Sequence, residues 1–143
     1  MTVTIRPLQE SDYDKFLFLI SQFRETSFSY PKFCEQLHAI RQWGTIWVLF
    51  EEDEMVATAT LYLEPKFIFN CAKLAHIEDV CVDSRFRRKG YGKQLMDFLF
   101  ETAVKEHAYK VTLDCNNTNV AFYTSCGYEI RGNQMSRLCV DAV

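Results

Sequence analysis

The sequence predicts a mixed α/β domain in which one sheet carries helices on both faces. Three observations point to it. The apolar residues repeat with a helical period up to Ile40, switch to the alternation of strands after Gly44, and return to the helical period after Gly90. The middle of the chain holds consecutive β-rich runs joined by short turns. The second half then reads strand, glycine turn, helix, strand, short helix, strand. At 143 residues, with 48% apolar and 24% charged side chains, the chain has enough for one core and is short for two. A single domain over 1–143 is the expectation.

Residues 2–6 alternate and read as an edge strand that Pro7 ends. Ser11 with Asp14 resembles a capping box, opening a helix whose apolar face is Tyr13, Phe16, Leu17, Leu19, Ile20 and Phe23. Pro31 suits the first turn of a second helix, with Phe33, Leu37 and Ile40 inward and Gly44 as its stop. Residues 46–50 and 55–63 are strands around an acidic turn at 51–54. Residues 66–70 read as a short extended piece and 74–82 as a further strand. Gly90 opens a helix to about His107, with Leu95, Met96, Leu99 and Phe100 on its core side. Residues 109–115 form a strand and 119–125 a short helix that Gly127 terminates. Residues 128–131 and 135–140 complete the set as strands.

Composition narrows the function. A net charge of −3 speaks against a nucleic-acid module, which is more often basic overall or across one face. No apolar run approaches the ~18 residues of a membrane span. The N-terminus lacks the basic and apolar regions of a signal peptide. Six cysteines without a C-x-x-C pair suggest reduced thiols, hence the cytoplasm, with organelle import left open. Three scattered histidines offer no metal-ligand spacing, so no metal is expected.

Against this acidic background the stretch "RFRRKGYGK" places five cations and two glycines between a strand and a helix. Unpaired N–H groups and the positive end of a helix dipole converge there on an anion. The spacing is neither G-x-G-x-x-G nor a Walker A loop; what is present is Arg87-x-x-Gly90-x-Gly92. A second segment, "NVAFYTSCGY", follows the strand at 109–115. Together the two resemble the GCN5-related N-acetyltransferase (GNAT) superfamily. The resemblance implies the GNAT fold, with a central, mostly antiparallel twisted sheet. It also implies acetyl-CoA as co-substrate, its pyrophosphate gripped by the turn formed by Arg87, Arg88, Lys89, Gly90, Tyr91, Gly92 and Lys93.

Four more segments, "VATATLYLEPKFIFNCAK", "HIEDVCV", "YKVTLDC" and "FYTSCGY", resemble one branch of that superfamily, the glucosamine-6-phosphate N-acetyltransferases. That likeness runs from about Val56 to Met135. It implies an intertwined homodimer whose active sites draw on both chains, acting on an amino sugar phosphate toward UDP-N-acetylglucosamine. By the same resemblance, backbone N–H groups around Val80, Cys81 and Val82 polarise the thioester carbonyl, Asn119 bonds the pantetheine arm, and the Tyr123 phenol donates to the departing thiolate. Glu78, Asp79 and Asp114 are the candidates to take the ammonium proton, and the residues alone do not choose among them. Glu78 and Asp79 are expected on opposite faces of their strand. Lys66, Phe67, Ile68, Phe69, Tyr109 and Lys110 match substrate-binding segments of the branch.

Two positions depart from the branch. Arg24 stands where its members tend to carry threonine. Leu138 stands where they carry an arginine, and Arg137 comes one residue early. Either a bulge or local shift restores Arg137, or Arg24 compensates as a phosphate ligand. Two rival readings stay open: an acetyltransferase for another small amine, and a module that binds acetyl-CoA without chemistry.

Overall fold

The computed structural model describes residues 1–141. They fall into two compact units, Met1–Leu113 and a second beginning at Asp114. In the first unit a five-stranded sheet has the order β1-β2-β3-β4-β5: Val3–Pro7, Gly44–Glu51, Glu54–Pro65, Lys73–Val82 and Ala108–Thr112. The first four strands pair antiparallel, and β5 runs parallel to β4. This is the mixed sheet the sequence pattern predicts, with β1 at the edge as expected.

Alternation along β2 explains how both faces are covered. Ile46, Val48 and Phe50 point one way and join Phe16 and Leu19 of α1 (Tyr13–Phe23) and Phe33 and Leu37 of α2 (Tyr30–Arg41) in one apolar cluster. Trp47 lies on the opposite face, edge-on to Phe98 at 4.9 Å. Phe98 belongs to α4 (Tyr91–Lys105), whose stripe of Leu95, Met96, Leu99 and Ala103 is buried. Phe100 is half exposed, contrary to its expected core position, because the buried stripe passes beside it.

Local chemistry sets the element ends, not always by the expected residues. Before α1 the capping box is formed by Gln9 and Asp12 around the 3-10 turn Glu10–Asp12, rather than by Ser11 with Asp14. The buried Asp12 carboxylate accepts from the Gln9 N–H at 2.8 Å and from both terminal nitrogens of Arg6 at 2.8 and 2.9 Å. Gly44 does not stop α2. It begins β2, where a Cβ would meet the Leu61 carbonyl oxygen at 2.2 Å. Residues 66–70 are not extended: the one-turn α3 (Ile68–Cys71) puts Phe69, Asn70 and Cys71 at φ 54°, 59° and 60°.

In the second unit α5 (Val120–Ser125) follows a 3-10 turn, and Gly127 (φ 95°) comes two residues after its end. No strand forms at 128–131 or 135–140 among the described residues. Ile130, Met135, Leu138 and Val140 are exposed instead. A strand needs a neighbour to take up its N–H and C=O groups, and alternation in a sequence does not say where that neighbour is. The bulge or local shift expected to restore Arg137 therefore has no strand to act on among the described residues.

Burial pushes the Asp12 carboxyl up, but the Arg6 and Gln9 hydrogen bonds outweigh it and hold the group below its ordinary value. A depressed folded value gives stability that is complete above the unfolded value of about 4 and is lost as pH falls through the folded one. Asp12→Asn is expected to cost about 1–3 kcal/mol at neutral pH. In urea melts its deficit against the parent should close in acid; a deficit independent of pH would contradict this origin.

Candidate functional site

The turn after β4 is built on a buried carboxylate. Asp83 is fully buried, and its side chain accepts from the Arg85 N–H (2.9 Å), Nε (3.2 Å) and Nη2 (2.9 Å). Its own N–H donates to the Val56 carbonyl at 2.8 Å, and its carbonyl accepts from the Phe86 N–H at 2.9 Å. Beyond this anchor Arg88 (φ 66°) and Gly90 (φ 83°) are left-handed, and α4 begins. Left-handed residues in a short turn at a helix start direct N–H groups toward one concavity, where an anion is favoured.

Around it, Arg87 donates from Nε to the Val82 carbonyl at 3.3 Å, Lys89 lies over the Phe86 ring, and Lys93 pairs with Asp97. The Tyr91 side chain is buried, so only its backbone remains for a ligand. Cys81 is likewise turned inward: its thiol donates to the Leu19 carbonyl at 3.4 Å, and burial raises it to about 11.

Upstream, β4 bulges. Thr58 pairs with Cys81 but Thr60 with Glu78, so Asp79 and Val80 together face Ala59. Asp79 takes φ 53°. The bulge interrupts the regular alternation on which the expected placement of Glu78 and Asp79 on opposite faces relies; both are exposed, and burial, then Asp79, then Glu78 push the Tyr62 phenol above its ordinary value. Pairing with β5 ends at His76–Thr112, while β4 continues to Val82. The strands therefore diverge beside the bulge, where Val80 and Val82 lie.

Asp79 also lines a cavity of about 670 Å³. Its floor is Thr58, Thr60 and Tyr62 of β3, and α1, α2 and the connection between them form its walls. Lys32 lines the cavity; Arg24 does not, and is exposed. Lys32, Thr58, Thr60 and Tyr62 were missed by sequence reasoning. The i, i+2 spacing of "TATLY" was their one signal, and Lys32 carried none. A cavity of this size, lined by Thr58, Thr60, Tyr62 and Asp79 as well as by apolar residues, suits a small polar amine.

At the far end of β3 four other expected residues meet. Phe69 stacks on Tyr109 (4.2 Å, 25°), and Lys110 lies over the same ring. Lys66 is paired with Glu64, and its N–H donates to the Ala72 carbonyl at 3.0 Å. Three left-handed non-glycine residues cost on the order of 1 kcal/mol each, and the Phe69 ring stack and these backbone bonds hold them. Phe67 and Ile68 are exposed. Lys66 draws the Glu64 carboxyl below its ordinary value, with a further contribution from His76.

In the second unit Tyr123 is half-buried, 5.0 Å from Phe122 and 6.5 Å from Tyr128 between ring centres. Burial, with Cys115 and Cys126 nearby, raises its phenol to about 12. Asp114 accepts from Gln134 Nε2 at 3.1 Å. Asn119 directly precedes α5, and Arg137 is exposed. Among the described residues there is no cluster of metal-ligating side chains, and no helix is long and apolar enough to cross a membrane.

Comparison with known proteins gives a consistent result. The model of the acetyltransferase (GNAT) family matches residues 6–128. A glucosamine 6-phosphate N-acetyltransferase of Arabidopsis thaliana is 41% identical over 143 residues, covering 95% of this chain and 96% of that protein. Glucosamine 6-phosphate N-acetyltransferase 1 of Dictyostelium discoideum is 33% identical over 140 residues, 94% of this chain and 89% of its own. The crystal structure of the Arabidopsis thaliana glucosamine-6-phosphate N-acetyltransferase superposes with a TM-score of 0.91 at 39% identity, over 98% of this chain and 100% of that one.

Proposed function

This chain belongs to the acetyltransferase (GNAT) family, and from that premise we propose that it transfers acetyl from acetyl-CoA to the amine of glucosamine 6-phosphate. The products are N-acetylglucosamine 6-phosphate and CoA, a step toward UDP-N-acetylglucosamine. The observation that carries the substrate is likeness along nearly the full length of relatives that bear this one activity in their names. The family match spans both units, in keeping with one acetyltransferase domain.

In this reading the turn from Arg87 to Lys93 holds the pyrophosphate, through the N–H groups at Gly90, Tyr91 and Gly92 and the charges of Arg87, Arg88, Lys89 and Lys93. The N–H groups of Val80 and Val82, beside the bulge, polarise the thioester carbonyl, and Cys81 contributes only its backbone. Asn119 bonds the pantetheine arm. The amine must be neutral to attack, and Asp79, Glu78 or Asp114 takes its proton, directly or through water. Asp79 is favoured by its place on the cavity wall. Tyr123 donates to the thiolate. Lys66, Lys110 and Tyr109, with Phe67, Ile68 and Phe69, receive the sugar phosphate, and Arg24 and Arg137 are further cations for it.

A homodimer is part of the proposal. Large apolar residues exposed at Phe67, Ile68, Ile130, Met135 and Leu138 fit a second copy of the chain. The six free cysteines suit the cytoplasm.

Release of free thiol from acetyl-CoA, compared for glucosamine 6-phosphate and glucosamine, tests the function. A strong preference for the phosphorylated sugar is expected, and turnover of neither sugar would overturn the proposal. Turnover of another amine alone would favour the first rival reading; acetyl-CoA binding with no turnover on any amine would favour the second. Arg24→Ala should raise KM for the sugar phosphate and leave that for acetyl-CoA alone; an unchanged sugar-phosphate KM would remove Arg24 from the site.

A further inference from the structure

A chain of polar contacts crosses three strands on the sheet face that carries Tyr62. Thr112 Oγ1 of β5 lies 3.2 Å from His76 Nδ1 of β4, and His76 Nε2 lies 3.1 Å from Glu64 Oε2 of β3. Glu64 also pairs with Lys66. An ionised carboxylate only accepts, so Nε2 must carry a proton toward Glu64. In the neutral ring Nδ1 is then the acceptor, and the Thr112 hydroxyl donates to it. Glu64 thus receives donors from both Lys66 and His76.

This arrangement poses an electrostatic problem for the proposed substrate. Lys66 is to receive a phosphate, yet a carboxylate already holds it, and that carboxylate would repel the phosphate at close range. We propose that His76 is a positioning residue for phosphate recognition: by donating to Glu64 it offsets that carboxylate and leaves the Lys66 ammonium available to the phosphate of the sugar. The inference rests on the function proposed above and adds to it a residue that touches neither reacting group.

The test is steady-state kinetics with glucosamine 6-phosphate and with glucosamine, on the full chain and on His76→Ala, His76→Gln and His76→Ala/Glu64→Gln. His76→Ala is expected to raise KM for the sugar phosphate about tenfold, the scale of a lost charge-assisted hydrogen bond, with kcat changed far less. Its preference for the phosphorylated sugar should fall by the same factor. His76→Gln keeps a side-chain N–H donor and should recover most of the loss. Adding Glu64→Gln to His76→Ala should bring KM back toward the parent, because the carboxylate that needed offsetting is gone.

A merely structural histidine gives a different pattern. The double variant would be as poor as His76→Ala or worse, or KM for both sugars would rise together, and either result overturns the inference. These outcomes leave the proposed function standing if the parent still prefers the phosphorylated sugar. A parent without that preference overturns both.

Discussion

Tyr123→Phe is expected to lower kcat about a hundredfold, the scale of losing one hydrogen-bond donor to a developing anion, while KM for both substrates changes little. The substitution keeps the ring and its contacts with Phe122 and Tyr128 and removes only the hydroxyl. The phenol sits at about 12, raised first by burial and then by Cys115 and Cys126. A thiol of the CoA type titrates near 8.5, so handing the phenolic proton to the thiolate is unfavourable by roughly three powers of ten. In the proposed mechanism Tyr123 is then a donor that keeps its proton, and the thiolate would gain its proton from the amine's side of the reaction.

A pH consequence follows. Tyr123 stays protonated throughout the neutral and mildly alkaline range, and the loss of kcat that its ionisation causes appears only near pH 12. A basic limb between about pH 8 and 10 in the parent that vanishes in Tyr123→Phe would mean the phenol titrates near its ordinary value. It would also remove the argument that it keeps its proton. A kcat for Tyr123→Phe within twofold of the parent would remove Tyr123 from the chemistry altogether.

Features that depend on a few neighbouring residues were legible in the sequence. The turn at Arg87–Gly92 could be read because its glycines and cations are neighbours in sequence between a strand and a helix, and the structure adds that Gly90, at the start of α4, is left-handed. The bulge was not, because Asp79 takes φ 53° without a glycine to mark it, and aspartate tolerates that conformation better than most residues. The same gap hid the turn at Phe69–Cys71, whose conformation is held by a ring in a distant strand. Gly44 was misread because its reason lies across the sheet at Leu61. Lys32 entered the cavity wall through the packing of α2, which composition does not encode. The alternation at 135–140 records a preference for a strand, and no neighbouring strand takes it up among the described residues.

Asp83 carries the second large effect, because it connects the core to the turn. Its carboxylate has no exposed surface and accepts three bonds from Arg85, whose own guanidinium is mostly exposed. Those bonds fix the chain direction between Val82 and Arg88. Asp83→Ala is expected to cost about 2 kcal/mol of stability and, in protein still folded at the assay temperature, to raise KM for acetyl-CoA about tenfold or more. Arg85 also bears on the pH dependence: its hydrogen bonds are the largest cause of an Asp83 value below the usual carboxylate range. The stability this gives is complete above the unfolded value of about 4 and disappears as pH falls through the folded one. Asp83→Asn should therefore trail the parent at neutral pH and converge with it in acid. A competing idea makes Arg85 itself a phosphate ligand that Asp83 restrains. Then Asp83→Ala would release the guanidinium and lower KM for acetyl-CoA. The sign of that one change decides whether the buried carboxylate shapes the anion site or competes with it.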